Sequence, residues 1–341
     1  MMDNLVHNQD LRQHNSFGFA ASAENFVRVE TLEQLQAAVA QAGDNGWPVL
    51  VLGGGSNLVL RERIPGLVIQ MAIGGRRAEP VGDDEVRVTL GAGEIWHQSL
   101  DWMLDQGYFG LENLALIPGT VGAAPMQNIG AYGVELEQGF DSLRALDIHT
   151  GELRVFSRED CCFGYRDSRF KSIEPGRYII IDVTFRLSLQ PRPLLRYQAL
   201  VDELQARGIA DPQPRDVFRV VCDIRRAKLP DPADIGNAGS FFKNPLVSRA
   251  HYDELAQQFP RLVAYPAGEG YKLAAGWLIE QCGWKGRAQG AVGVYERQAL
   301  VLVNLGAGTA TELMLLAGEI VQSVVERFGV ELEMEPRLYP A

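Results

Sequence analysis

The sequence predicts an α+β protein of two or three domains, and three observations carry that prediction. The chain has 341 residues, more than one domain at roughly 150 residues each. Apolar residues recur with period two in some runs and at helical spacing in others, and the two kinds of run are interleaved. Three consecutive glycines, Gly53, Gly54 and Gly55, stand between two strand-like runs instead of between a strand and a helix. With 46% hydrophobic and 22% charged residues, and no low-complexity tract, the whole chain reads as compact.

Phe26 to Glu30 alternates apolar and polar residues, as a half-buried strand does. Thr31 with Gln34 reads as a capping box, and Leu32, Leu35 and Val39 form the apolar stripe of a helix. Asn45-Gly46 turns the chain into the strand PVLVL. After the glycines, LVL and GLVIQM read as further strands. The glycine cluster therefore does not open a helix, as a dinucleotide fingerprint must, and Ser56-Asn57 is not the Lys-Ser or Lys-Thr of a Walker loop. VRVTLGAG is a strand running into a glycine turn, and EIWHQSLDWMLDQG has the spacing and terminal glycine of a helix. The segment LENLALIPGTVGAAPMQNIGAYGVEL is nearly uncharged and reads as a long loop, a kind of segment that is usually functional.

Strands follow at LRALDIH, ELRVF and YIIIDVTFRL. Two helices come next, the second with Val217, Val220, Val221 and Ile224 on its core face. Pro230 ends that helix, and a domain boundary is placed there. The remainder reads as the helix KLAAGWLIEQCG, the strand ALVLVN, a helix from the Thr309–Glu312 capping box through Val324, and a terminal strand ELEMEPRLYP.

A formal charge of −11 argues against a protein that coats nucleic acid. Anionic ligands must be held by local lysines, arginines or backbone amides. No apolar run approaches the ~20 residues that span a bilayer, and no secretory signal is visible. Four cysteines without a CxxC pair and five scattered histidines indicate neither a metal site nor a disulfide framework, so reduced thiols in a cytoplasm are expected.

Glycine amides without Cβ atoms can converge on a pyrophosphate without help from a positive side chain. A tight strand-to-strand turn explains VLGGGSN equally well. IPGTVGAAPMQNIGAYG adds a second uncharged loop, and two such loops suit a long dinucleotide lying across a cleft.

VLGGGSNLV, GLENLALIPGTVGAAPMQNIGAYG, FGYRDSRFK, GNAGSFFKNP and LEMEPR, in this order over nearly the whole chain, resemble the UDP-N-acetylenolpyruvoylglucosamine reductases, also called UDP-N-acetylmuramate dehydrogenases. The resemblance is to the longer bacterial type, with a substrate-covering tyrosine loop. It implies a vanillyl-alcohol-oxidase-like FAD-binding fold of two subdomains plus a separate α+β substrate-binding domain. The expected division is 1–72 with the C-terminal strand 328–341 returning to it, 73–229, and 230–327 for substrate. Non-covalent FAD and the electron donor NADPH are the implied cofactors. Gly53, Gly54, Gly55, Ser56 and Asn57 would hold the FAD pyrophosphate, and Pro118, Gly119, Thr120, Gly122, Gly130, Ala131, Tyr132 and Gly133 would line the rest of the flavin.

The family reaction reduces an enolpyruvyl double bond, so the site needs a charge stabiliser and a proton donor. The resemblance gives these roles to Arg166 and Ser240. Read from the residues alone, Arg166 is an ordinary ion-pair partner of Asp167, and Ser240 is a turn or cap residue. For the carboxylate, Glu333 and Glu335 both lie on the terminal strand, and the motif match favours Glu335, although Pro336 departs from the expected aliphatic residue. Lys228, Asn244 and Gln298 match contacts to the UDP-sugar, and Tyr197 matches the covering tyrosine. Arg225 and Arg226 read as a solvated basic face or a phosphate contact. A small-molecule UDP-sugar partner, a monomer and a cytoplasmic location are expected. The competing readings are a flavin oxidase of the same fold and a flavin- or UDP-sugar-binding protein without turnover.

Overall fold

A computed structural model describes residues 4–340, which fold as two compact units. The first takes the chain up to Gln9, then Ala23–Gly55 and Pro65–Ala227; the second takes Asp10–Ser22, Ser56–Ile64 and the chain from Lys228 onward.

The first unit contains two sheets and two cores. Its four-stranded sheet runs Val6–Asp10, Ser22–Val29, Arg63–Met71, Val49–Leu52, and the last two strands are parallel with Val49 opposite Leu67. The expected helix, Leu32–Asn45, packs Leu35, Ala38, Val39 and Ala42 into this sheet's core, with Val27, Leu67 and Ile69. Thr31 accepts the Gln34 N–H as an N-cap should, but the Gln34 side chain takes the Glu30 N–H. Gly46 closes the helix in the left-handed region, where glycine pays no Cβ penalty.

The five-stranded sheet is ordered Leu153–Ser157, Phe140–Asp147, Tyr178–Ser188, Glu85–Gly91, Arg76–Val81. Helices Trp96–Asp105 and Pro214–Lys228 contribute to its core. All four apolar residues assigned to the inner face of the second helix, Val217, Val220, Val221 and Ile224, are buried. Fully buried Trp96 packs edge-on to Phe185 and donates its indole N–H to Leu114 O at 2.9 Å, anchoring the start of the long uncharged segment. That segment is not a featureless loop. It holds short 3₁₀ turns at Glu112–Leu114 and Val121–Gln127, then a hairpin of Gly130–Ala131 against Val134–Glu135.

The second unit has a four-stranded sheet, Gly236–Ser240, Val301–Asn304, Val292–Val294, Ala288–Gln289, and a three-stranded one, Leu246–Ser248, Gly270–Leu273, Ala264–Ala267. Helix Ala310–Phe328 lies over its core through Leu313, Leu316, Ile320 and Val324. Its Thr309–Glu312 capping box forms reciprocally, and the helix runs past Val324 until Gly329 adopts φ 64°. KLAAGW departs from the expected single helix. Lys272 pairs with both Leu246 and Tyr265, so the helix is delayed to Ala275–Gln281. The expected terminal strand is also interrupted at Pro336. Met334 makes one bridge to Phe242, and regular pairing starts only at Arg337–Tyr339, parallel to Leu58–Leu60.

The four cysteines are free; burial pushes the Cys161 thiol up to about 12. Among the described residues, no helix is long and apolar enough to cross a membrane.

Gly66 sits at φ 74°, and a Cβ there would lie 2.2 Å from Pro48 O. That oxygen accepts the Leu67 N–H where the two parallel strands begin to pair. Gly66→Ala should therefore destabilise the protein by roughly 2–4 kcal/mol, read as a lower denaturation midpoint. An unchanged midpoint would show that the parallel pair can shift to accommodate the methyl group.

Candidate active site

In the first unit, strand Val49–Leu52 delivers Gly53–Gly55 onto the second glycine loop. A Cβ on Gly53 would lie 2.3 Å from Thr120 Oγ1, and one on Gly54 would lie 3.0 Å from the Gly119 Cα. Gly55 and Gly119 need positive φ, 61° and 118°. Gly122 is small for a different reason, because Ala92 would collide with any side chain. The first loop therefore offers bare main chain to the second, meeting the Thr120 side chain at Gly53 and the Gly119 main chain at Gly54, with no charged side chain in either. Such a surface fits an FAD pyrophosphate, which backbone dipoles can hold where bulky or acidic side chains would exclude it.

The second loop is fixed at several points. Trp96 N–H donates to Gly119 O at 3.1 Å and Val121 N–H to Glu94 O at 2.9 Å. Leu116, strained at φ 57°, is held through both flanking peptides: its N–H donates to His97 Nδ1 at 3.1 Å, and its carbonyl accepts Arg225 Nε at 3.2 Å. Arg225 thus serves the loop instead of a solvated face. Burial lowers its pKa, and its electrostatic neighbours are Tyr132, Cys222 and Arg166. Arg226 is exposed, 3.6 Å from Asp223.

Arg166 occupies a tight turn in which Gly164 and Asp167 exchange N–H···O=C bonds. It adopts φ 55° and donates Nη2 to Gly130 O at 2.6 Å. A Cβ on Gly130 would lie 2.9 Å from Arg166 Nη1, so this glycine makes room for the guanidinium. The Asp167 carboxylate accepts the Ser168 N–H and the Ser172 hydroxyl. Buried Asn128 ties the same regions together, donating to Glu135 Oε2 and Gly164 O and accepting the Glu137 N–H. Asn113, also buried, donates to Tyr132 O at 2.9 Å and Leu194 O at 3.0 Å, joining the glycine loop to the segment before Tyr197. The Tyr132 and Tyr197 rings meet edge-on, centroids 5.3 Å apart. Next to Asn113, the Glu112 carboxyl is 1% exposed. Its Oε2 accepts the Gly110 N–H while its Oε1 is buried with no partner among the described residues. Burial raises its pKa.

Ser56 and Asn57 belong to the second unit. Asn57 Nδ2 donates to Glu335 O at 3.3 Å, and Asn57 O accepts the Arg337 N–H at 3.1 Å. The same terminal segment binds the Ser240 strand: Glu335 N–H donates to Phe241 O at 2.9 Å, and Lys243 N–H to Glu333 O at 2.8 Å. Ser240 and Glu335 are therefore neighbours through the main chain. Glu333 is engaged elsewhere, in an ion pair with Lys243. Ser240 is exposed although Phe241 and Phe242 beside it are buried. Asn244 and Gln298 converge on the first turn of helix Ala275–Gln281: Asn244 Oδ1 accepts the Ala275 N–H at 2.9 Å, and a Cβ on Gly276 would lie 3.0 Å from Gln298 Oε1. Lys228 is exposed at the end of its helix. Sequence reasoning missed the scaffolding side chains His97, Asn113, Asn128 and Asn237; the asparagines' only signal was their place beside glycine or within a nearly uncharged segment, and His97 gave none.

The chain is similar to known proteins in both sequence and fold. The family described as UDP-N-acetylenolpyruvoylglucosamine reductase, C-terminal domain, matches residues 231–339, and the FAD binding domain family matches residues 23–157. A Ralstonia nicotianae UDP-N-acetylenolpyruvoylglucosamine reductase is 54% identical over 96% of this chain and 96% of its own length. The crystal structure of the Thermus caldophilus UDP-N-acetylenolpyruvylglucosamine reductase superposes with a TM-score of 0.66 at 25% identity, covering 99% of this chain and 98% of that one. The 6-hydroxy-D-nicotine oxidase of Arthrobacter nicotinovorans shares the fold, with a TM-score of 0.54 at 14% identity over 97% of this chain and 87% of the other.

His97 can accept the Leu116 N–H only when Nδ1 is unprotonated. Burial, aided by Arg226 and Arg225 against Asp101, holds its pKa below the ordinary 6.5. The stability carried by the neutral ring is complete above pH 6.5 and is lost as pH falls through the lower folded-state value. Acidification should thus lower the thermal midpoint more steeply in the natural protein than in His97→Gln, whose amide oxygen accepts at any pH. Parallel pH profiles for the two proteins would count against the clamp.

Proposed function

The chain belongs to the UDP-N-acetylenolpyruvoylglucosamine reductase family, and on that premise we propose how its residues carry the family's reaction. The protein is an FAD-containing, NADPH-dependent oxidoreductase. It reduces the enolpyruvyl group of UDP-N-acetyl-3-O-(1-carboxyvinyl)glucosamine to UDP-N-acetylmuramate, a step in making the cell-wall peptidoglycan precursor. The observation that carries the residue assignment is the main-chain link between Ser240 and Glu335, made by the bond from Glu335 N–H to Phe241 O.

In this reading the glycine loops hold FAD through residues 53–57, 118–122 and 130–133. When bound and reduced by NADPH, FAD would supply the hydride for the double bond. Arg166 meets the substrate carboxylate, where negative charge builds up next to the reacting carbon; a guanidinium stays charged and can bind a carboxylate bidentately. Its bond to Gly130 O, together with the Gly164–Asp167 turn, fixes the direction of the guanidinium before substrate arrives. Ser240 holds the proton that reaches the carbon. A hydroxyl is a weak acid and protonates only a strongly basic centre, which keeps protonation coupled to hydride arrival. Glu335, on the segment whose N–H bonds to Phe241 O beside Ser240, is the neighbouring acid–base group.

Lys228, Asn244 and Gln298 bind the UDP-sugar, and Tyr197, 39% exposed against Tyr132, covers it. The functional division is 1–72 with 328–341 and 73–229 for FAD, and 230–327 for substrate. It cuts across the compact units, because residues 10–22, 56–64 and the C-terminal strand fold with the second. We place the protein in the cytoplasm as a monomer, consistent with four free thiols, one of them the exposed Cys162.

Under anaerobic conditions the yellow protein should bleach with NADPH and regain colour when the enolpyruvyl UDP-sugar is added. In Ser240→Ala, bleaching should persist while recolouring slows on the order of 10²-fold or more. Arg166→Lys should slow the same step, since a point charge cannot reproduce the planar contact. Recolouring of Ser240→Ala at the natural rate would remove the serine from the mechanism, and a protein that oxidises NADPH only with oxygen would be an oxidase.

A further inference from the structure

The strand that presents Ser240 is not regular. Gly236 lies opposite Asn304 and Asn237 opposite Val303, yet Ser240 lies opposite Val301, so three steps on one strand match two on the other. This is a β-bulge, and one residue of slip in a strand moves a side chain to the other face. Ser240 is exposed because of it, while Phe241 and Phe242 enter the core with 0% and 1% exposure.

One side chain holds the bulge. Asn237 is 2% exposed and uses both ends of its carboxamide. Nδ2 donates to Ile235 O at 2.8 Å and Pro230 O at 3.2 Å, while Oδ1 accepts the Gly239 N–H at 2.8 Å. Its own N–H donates to Ser16 O at 3.0 Å. Gly239, the residue before Ser240, sits at φ 69°, a conformation disfavoured for any residue with a side chain, and the Asn237 oxygen fixes the peptide that enters it. Gly236 cannot relax to compensate, because a Cβ there would lie 2.1 Å from Phe17 O and the strand is already in closest contact.

We propose that Asn237 is a positioning residue for the reaction: it sets the bulge that aims the Ser240 hydroxyl. The inference rests on the reading of Ser240 as proton donor. Asn237 reaches the chemistry only through the Gly239 peptide, so its loss should affect proton delivery and leave flavin reduction untouched. Asp at this position keeps an oxygen for the Gly239 N–H, but its second oxygen meets the Ile235 and Pro230 carbonyls unless the buried carboxyl is protonated, so it should restore the rate only as pH falls.

The test is stopped-flow kinetics on the full-length FAD enzyme, with bleaching by NADPH and recolouring by the enolpyruvyl UDP-sugar measured separately in H₂O and D₂O. Asn237→Ala should slow recolouring roughly 10- to 100-fold and raise its solvent isotope effect, with bleaching within about twofold of the natural rate. Asn237→Asp should recolour slowly at neutral pH and approach the natural rate as pH falls and its carboxyl is protonated.

Gly239→Ala disturbs the same peptide by a different route. A Cβ there meets no atom within 4 Å, so only backbone strain is added. It should reproduce the Asn237→Ala pattern, and it carries the test if the alanine variant at 237 does not retain FAD. Equal slowing of both half-reactions, or no change in the isotope effect, would reduce Asn237 to a stability role and overturn the proposal. Ser240→Ala, run alongside, separates the two failures. If it slows recolouring while the 237 and 239 variants do not, only this inference falls; if it does not, the serine reading falls first.

Discussion

Main chain packed against main chain is the constraint on which the rest of the first unit depends. A Cβ on Gly53 would meet the Thr120 side chain and one on Gly54 the Gly119 main chain, so the first loop approaches the second as bare backbone. That approach creates a surface suited to a dinucleotide. It also strips peptide groups of regular strand or helix partners, and buried peptide groups without partners are costly. Side chains make up the deficit: His97 and Arg225 hold the two peptides flanking Leu116, Asn113 takes Tyr132 O and Leu194 O, and Asn128 takes Gly164 O and the Glu137 N–H. Each also links the loop to a second element, so satisfying the backbone and orienting the site are the same set of bonds.

The second unit meets the same constraint with the same residue type. Asn304 donates to Phe17 O and accepts the Gly306 and Gly308 N–H groups, and on the adjacent strand Asn237 organises the turn before Ser240. An asparagine carboxamide offers donor and acceptor together without a charge to bury, which explains its use where a charged group would have to be neutralised. The terminal segment then docks on this strand, and Asn57 from the glycine loop clips it near Glu335.

The charge of −11 is reconciled with an anionic cofactor and an anionic substrate by local placement. Arg166 and Arg225 each donate to a backbone carbonyl of the glycine segment, Gly130 O and Leu116 O. Elsewhere, arginines are spent on exposed pairs such as Arg207 with Glu203 and Asp223, which are worth little individually. The net charge described solubility; it said nothing about the field at the loops.

Sequence alone determined the elements whose periodicity reports one buried face: the helix with Leu35 and Val39 inward, the helix with Val217, Val220, Val221 and Ile224 inward, and the strands on either side of the glycines. It also determined the family, because several motifs occur in a fixed order. Where partners are distant in sequence, the pattern was silent. KLAAGW was read as one helix because pairing of Lys272 with Leu246 and Tyr265 leaves no local trace, and the terminal strand was read through Pro336 for the same reason. Alternation left Glu333 and Glu335 alike, and the pairing of Glu333 with Lys243, some ninety positions away, left no trace in it. The role of Arg225 and the bulge at Ser240 belong to the same class. Periodicity is a property of one segment meeting a core, whereas hydrogen bonding, bulges and close glycine contacts are properties of two segments meeting each other, and only the folded chain brings the second segment into place.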